Sequence, residues 1–374
     1  MSTAPLGVGV IGTGMISSKY LDNLSAFPDV TVIALGDLDA DRAAAQAEKY
    51  GVSVSGLPED VLTHPEVELV VNLTVPVAHV PVSMAAIEAG KHVWSEKPIG
   101  VNREEACALL AAAEAADLRL GIAPDTVLGP GLQTALRALR RGDIGVPLSA
   151  QTSMQYAGPD LFHPNPEFLF SHGAGPVVDM GPYYISALVN LFGPVARVAA
   201  VGLKGRERRR VRVGDRAGDE FPVEVPTHVQ AIAQFERGMT SQSVFSFDSQ
   251  LTRSGVLEVT GTEGTLVIPD PNRFSGAVRI ARVATAYEDI DTPRWERVAP
   301  VGVEAGRGLG VLDMARAIRA ERPHIATGEL GYHIFDTLTA IEESVQLGRF
   351  VEIESTVAEV PLVPEDRDPF ASTL

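Results

Sequence analysis

The pattern Gly12-x-Gly14-x-x-Ser17 constrains this chain more than any other feature. It directly follows Leu6–Ile11, an apolar run that reads as a strand. Behind it Ile16, Tyr20, Leu21, Leu24 and Phe27 recur at helical spacing. The first glycine permits a tight strand-to-helix turn, and the second lets backbone approach a pyrophosphate. A small third residue, here Ser17, lets helix and strand pack closely. The helix start, with Met15 and Ile16, offers unpaired N–H groups to an anion. Asp37 closes the second apolar run, 25 residues after Gly12. An acid there accepts both ribose hydroxyls of NAD and repels a 2′-phosphate. Arg42 nearby keeps NADP open. The plainer alternatives are a merely tight turn and, for Asp37, a solvated loop acid.

The rest of the first third supports the turn. Val30–Leu35, Glu68–Leu73, His92–Ser95 and Arg119–Ile122 read as strands. Helical patterns over Asp41–Tyr50, Val77–Ala89 and Arg103–Ala116 separate them. Such alternation predicts a mostly parallel sheet wrapped by helices on both faces. The fold class is therefore α/β, with an N-terminal Rossmann dinucleotide-binding domain over residues 1–124.

After Asp125 the texture changes. A bridging helix, Gly131–Arg141, leads into Leu148–Tyr156, Ala196–Gly202, His228–Phe235, Thr240–Phe247, Gly255–Gly261, Thr265–Ile268 and Ala277–Val283. Several of these alternate in polarity, as strands with one wet face do. They predict a C-terminal α/β domain, 125–374, with an open, mostly antiparallel sheet. Helices near Asp179–Leu191, Gly310–Ala320 and Leu330–Leu347 would cover one face. The tail Val363–Leu374 is expected to run over the surface.

Charge narrows the partners. Asp plus Glu number 48 against 31 Lys plus Arg, a formal charge of -17. Such an acidic chain repels phosphate backbones and anionic lipid, so neither nucleic acid nor membrane is an expected partner. The Arg206–Arg212 run, flanked by Lys204-Gly205 and Gly214-Asp215, reads as a solvated hairpin or oligomer contact. The single cysteine, Cys107, excludes an internal disulfide and fits the reducing cytoplasm. It lies on an Ala/Leu-rich helix and is expected to be buried. The first ten residues carry no Lys or Arg, so no signal peptide is expected. The eight histidines show no metal-ligand spacing, and no metal site is expected.

Glu96-Lys97-Pro98 follows the strand His92–Ser95. A lysine at the end of a sheet strand points into the crevice where such folds bind nucleotides. A cation there can hold an alcohol oxygen and favour its alkoxide as hydride leaves the carbon. Taken alone, an exposed Glu-Lys-Pro is in most cases a surface turn.

In sequence order come Gly12-x-Gly14, Asn72-Leu73-Thr74-Val75-Pro76-Val77-Ala78-His79, Ala89-Gly90-Lys91-His92-Val93 and Glu96-Lys97-Pro98. This series resembles the glucose–fructose oxidoreductase / inositol dehydrogenase / MocA (Gfo/Idh/MocA) family. Gly173–Gly181 is similar to that family's glycine-rich entry to its active-site helix, and Gly331-Tyr332-His333 to the start of a late helix. The resemblance implies tightly held NAD(P) and hydride transfer at one carbinol carbon of a sugar, inositol or related polyol. It assigns Lys97 as catalytic lysine and Asp179 as pocket acid. Thr74, Pro76, His79 and Glu96 would line the cofactor, and His163 and His333 would border the substrate cleft. Most members carry a histidine four residues after the acid, where this chain has Tyr183. Residues 179 and 183 share a helix face, so Tyr183 is the expected acid/base. Val75 replaces a proline common in the family's cofactor loop.

Other uses of these residues stay open. Asp179 can cap a helix, Tyr184 competes with Tyr183, and His79 can be a structural histidine. The expectation is an NAD(P)-dependent enzyme acting on CH–OH groups, assembled as a homodimer or homotetramer through its open sheet. Two alternatives use the same scaffold: a non-catalytic NAD-binding sensor, and an NAD-dependent glycoside hydrolase.

Overall fold

A computed structural model describes residues 4–282 and 291–374. The chain divides into two compact units. The first runs to Gly129 and then takes in Gly302–Tyr332 and Val363–Leu374; the second holds Pro130–Val301 and His333–Leu362. The chain thus crosses between units several times, and not once at residue 124 as expected.

In the first unit, six parallel strands are described: β1 (Leu6–Ile11), β2 (Val30–Gly36), β3 (Val54–Gly56), β4 (Leu69–Asn72), β5 (His92–Ser95) and β6 (Leu120–Ile122). Their order is β3-β2-β1-β4-β5-β6, so the strand order reverses beside β1. β1 and β4 are buried throughout, as expected of strands covered on both faces. The helices are α1 (Met15–Leu24), α2 (Ala40–Tyr50), α3 (Pro58–Leu62), α4 (Pro76–Glu88) and α5 (Arg103–Ala115). Asp39 caps α2 by accepting from the Arg42 amide, and Asn102 caps α5 by accepting from the Glu105 amide.

The tail does not wander. The Thr373 amide and hydroxyl donate to Asp29, and the Phe370 ring lies 5.7 Å from that of Phe27. Arg316 bridges Asp29 and the carbonyls of Asp368 and Ala371. Cys107 is exposed, because it falls on the solvent side of α5, whose buried face is Ala106, Leu109 and Ala113.

The second unit begins with α6 (Pro130–Arg140). Its main sheet has nine described strands, including β7 (Pro147–Gln155), β8 (Val195–Leu203), β11 (His228–Phe235), β12 (Thr240–Ser246), β13 (Arg253–Gly261) and β14 (Gly264–Ile268). Short strands β15 (Arg279–Arg282), β16 (Trp295–Arg297) and β17 (Val351–Glu352) complete the edges. The expected strand Ala277–Val283 is thus seen as β15, and Val283 lies outside the described residues. All pairings are antiparallel except β7 with β12. A small hairpin pairs β9 (Arg208–Arg210) with β10 (Glu220–Pro222). It is the expected basic hairpin, with one difference: Arg209 is buried between Asp160 and Asp248, whereas Arg208 and Arg210 pair with Glu220 in solvent.

One face of the large sheet is covered by α7 (Gly175–Phe192), which packs across β7, β11 and β12. Behind it lies α9 (Gly328–Leu347), whose Leu338 is so close to Gly181 that a Cβ there would fall 2.4 Å away. In the first unit, α8 (Leu309–Arg319) sets Gly310 against Trp94. Along β11 the side chains alternate, buried Val229 and Ala231 toward the covered face and exposed Gln230 and Ile232 on the other. Among the described residues no helix is long and apolar enough to cross a membrane.

Candidate active site

The register of the parallel sheet assembles the first cluster. Gly36 pairs with Ile11, Ile11 with Asn72, Asn72 with Ser95, and Ser95 with Ile122. The residues that follow, Asp37, Gly12, Leu73-Thr74 and Glu96-Lys97, therefore leave the sheet along one carboxyl edge. Ligands of open α/β sheets bind at this edge, where the strand order reverses.

Gly12 takes φ +98°, and a Cβ would lie 2.7 Å from the Leu73 carbonyl group. Gly14, the N-cap of α1, faces open space, and no side chain caps the helix. The backbone around Met15 and Ile16 is left to serve an external anion. Asp37 is 5% exposed. It accepts from the Thr13 amide at 2.7 Å, the Thr13 hydroxyl at 2.8 Å and the Asp39 amide at 3.0 Å. Arg42 grips both of its oxygens, at 2.6 and 3.2 Å. Burial alone would raise the Asp37 pKa, but the Arg42, Asp39 and Thr13 hydrogen bonds override it and hold the carboxyl well below its usual range. Asp37 is thus a fixed anion, and these residues fit a dinucleotide.

The second edge loop is stapled by side chains. Asn72 accepts from the amide and hydroxyl of Thr74 and donates to the carbonyl of His79. His79, at the start of α4, is 1% exposed. Its Nδ1 lies 2.7 Å from the Pro98 carbonyl and its Nε2 3.1 Å from that of Thr74. Burial pushes its pKa down, so the neutral ring has one N–H to give, and the shorter distance assigns it to Pro98. His79 is therefore a buried brace: its ring holds the Pro98 carbonyl and its own carbonyl accepts from Asn72. Pro76 opens α4, and exposed Val75 precedes it. Half-buried Lys97 follows Glu96, whose Oε2 accepts from the Lys97 amide at 3.0 Å.

In the second unit, Asp179 and Tyr183 lie on one face of α7. Asp179 sits inside the helix and does not cap it; Ala174 occupies that position. Tyr184 is fully buried: its hydroxyl accepts from the Gly255 amide at 2.8 Å, and its ring meets Phe245 edge-on. That removes Tyr184 from the competition. Sequence reasoning missed Tyr156, at the end of β7. Burial and then the Asp179 and Asp160 carboxylates push its hydroxyl pKa far up, which places it within electrostatic reach of Asp179. No motif marked it; only the pairing of β7 brings it there.

The two remaining histidines are occupied locally. His333 is 0% exposed. Its Nε2 accepts from the Val195 amide at 2.9 Å, and its Nδ1 lies 2.9 Å from the Ser355 hydroxyl. It has neither access nor a spare nitrogen for a substrate, which corrects the expected role. His163 is half-buried; its Nδ1 accepts from the Asn165 amide, and its ring packs on Phe168.

A parallel sheet with the order β3-β2-β1-β4-β5-β6, a glycine turn and a buried acid after β2 define the dinucleotide-binding Rossmann class. Two models of one family match: the oxidoreductase family with an NAD-binding Rossmann fold over residues 6–123, and the GFO/IDH/MocA C-terminal domain over 132–267. The chain belongs to the Gfo/Idh/MocA oxidoreductase family, as its motifs implied, and NAD is its cofactor class.

D-apiose dehydrogenase of Paraburkholderia graminis is 28% identical over 371 residues, covering 95% of this chain and 91% of that protein. Inositol 2-dehydrogenase 3 of Saccharopolyspora erythraea is 29% identical over 313 residues, 80% and 86% of the two chains. The solved structure of levoglucosan dehydrogenase with NADH and L-sorbose superposes with a TM-score of 0.81 at 21% identity, over 94% of this chain and 99% of that one. At that identity it shows the fold alone.

Proposed function

We propose that this oxidoreductase interconverts an alcohol and a ketone at one carbinol carbon of a sugar, inositol or related polyol. The observation that carries the reading is the strand register, which sets Lys97 on the same sheet edge as Gly12, Asp37 and Thr74. The names of the relatives, apiose and inositol dehydrogenases, support the substrate class.

The nicotinamide, when bound, supplies hydride chemistry. Gly12, Gly14 and the backbone of Met15 and Ile16 would hold the phosphates, Asp37 the ribose, and Thr74 and Pro76 the flanking loop. Lys97 brings the cation that holds the substrate oxygen and lowers the cost of its alkoxide. Tyr183 moves the hydroxyl proton. Asp179 accepts from a further hydroxyl and orients the ring. Half-buried His163 lies on the loop before α7 and is the histidine left to contact substrate.

The open sheet face carries exposed Val201 and Ile232, with Phe350 beside them, among polar residues such as Gln151, Gln230 and Gln242. A broad open face with exposed apolar side chains at its centre supports pairing with a second copy as a homodimer or homotetramer. The exposed Cys107 thiol supports a cytoplasmic location, where it stays reduced.

The test is a panel of sugars, inositols and keto sugars, read by reduced-nicotinamide absorbance with NAD and with NADP. Lys97→Ala should fold and bind NADH yet lose turnover by about 10²–10⁴-fold. Full turnover in that variant removes Lys97 from the chemistry.

A further inference from the structure

Lys97 sits on a short loop, and the loop is gripped from both sides. On one side, buried Tyr20 of α1 donates to Glu96 Oε1 at 2.8 Å, while Glu96 Oε2 accepts from the Lys97 amide at 3.0 Å. The Trp94 indole N–H donates to the Tyr20 oxygen at 3.4 Å. Tyr20 and Trp94 are both 0% exposed, and Glu96 is 7% exposed. On the other side, His79 Nδ1 holds the Pro98 carbonyl at 2.7 Å. The two grips bracket the Lys97–Pro98 segment, one on the amide before the side chain and one on the carbonyl after it.

We propose that Tyr20, acting through Glu96, and His79 are positioning residues that clamp the Lys97 backbone and tie it to the elements that bind cofactor. The proposal rests on the catalytic reading of Lys97 given above. Tyr20 lies on α1, whose first turn would hold the cofactor phosphates. His79 lies at the start of α4, directly after the Thr74–Pro76 segment that would flank the cofactor. Both braces therefore reach from a cofactor-binding element to the lysine. A lysine side chain is long and flexible, so fixing its backbone at two adjacent points is what limits where its ammonium can go. Misplacing a reacting group by about 1 Å can cost about a hundredfold in rate.

Hydrogen exchange tests the clamp without a substrate. Tyr20→Phe keeps the ring and removes the donor. The Lys97 amide should then exchange at least about tenfold faster, while the amides of β1 and β4 stay protected. Glu96→Gln can bridge in the same way, with its oxygen on the Lys97 amide and its NH₂ on Tyr20, and should retain protection; Glu96→Ala should lose it. These two variants decide the matter should Tyr20→Phe fail to fold.

Turnover tests the positioning role. Tyr20→Phe should lower kcat by about ten- to a hundredfold with NADH affinity unchanged, and should lower nothing further in a Lys97→Ala background. An unchanged Lys97 exchange rate, or an equal loss in the Lys97→Ala background, overturns the proposal. Full turnover by Tyr20→Phe beside a crippled Lys97→Ala enzyme overturns the clamp alone. Full turnover by Lys97→Ala overturns the catalytic reading beneath it.

Discussion

Adjacent tyrosines on α7 should separate cleanly when each loses only its hydroxyl. They point about 100° apart around the helix. In Tyr184→Phe the Gly255 amide loses its 2.8 Å acceptor. Gly255 is half-buried, so water can partly replace the lost bond. The expected cost is about 1 kcal/mol, the low end for an abandoned buried donor. In a domain of this size that lowers the melting midpoint by about 2–4 °C. Turnover and its pH profile should stay as they are. Tyr183→Phe should do the reverse: about 0.5–1.5 kcal/mol of stability at most, and a rate loss of about 10²–10⁴-fold if the phenol moves the proton. The assay is steady-state turnover across pH beside thermal unfolding, on both variants. Full rate and an unchanged pH profile in Tyr183→Phe would refute the reasoning. A rate loss in Tyr184→Phe without a fall in midpoint would refute it equally.

Three further outcomes follow from the same contacts. Asp37→Asn removes the charge that Arg42 grips and turns an NH₂ toward its guanidinium; NADH affinity should fall about ten- to a hundredfold and the NADPH-to-NADH ratio should rise, and an unchanged ratio in fluorescence titration argues against Asp37 as selector. His333→Ala leaves the buried Val195 amide without its acceptor, so thermal unfolding should show a loss of about 1–3 kcal/mol with substrate KM unchanged; a raised KM at full stability would restore the substrate role. Burial pushes the Glu342 carboxyl up to about 7 from 4.5. The native state then holds the proton that the unfolded chain releases, so stability falls as pH rises through that window. Glu342→Gln should stabilise the fold by at most about 3 kcal/mol at about pH 8, seen as a higher melting midpoint than the parent protein's, and do nothing at about pH 4; a midpoint equal to the parent's at both pH values would count against it.

The cofactor half of the site was legible because its signals are local. Gly12 is needed for a positive φ and a close backbone approach, and both are properties of a turn. Asp37 follows its strand directly. The strand β1 has the expected bounds, as do β5 and β11. Short elements such as β3, α3 and β17 were missed, because two to five residues carry too little periodicity to stand out.

What lay beyond sequence is what depends on partners distant in the chain. Nothing near His333 announces that Val195 and Ser355 will occupy its two nitrogens. The choice between Tyr183 and Tyr184 fell to Gly255, 71 residues from Tyr184. Tyr20 reads as one more apolar position of an amphipathic helix until Glu96 is folded against it, 76 residues on. The acidic tail looked free until Asp29 and Arg316 were found gripping its end. Turn chemistry and periodicity are written within a few residues, so the sequence alone determined the fold class and the cofactor turn. Burial and hydrogen-bond satisfaction depend on which groups meet, and only the tertiary structure decided which polar side chains, His333 and Tyr184 among them, are taken up in holding the fold.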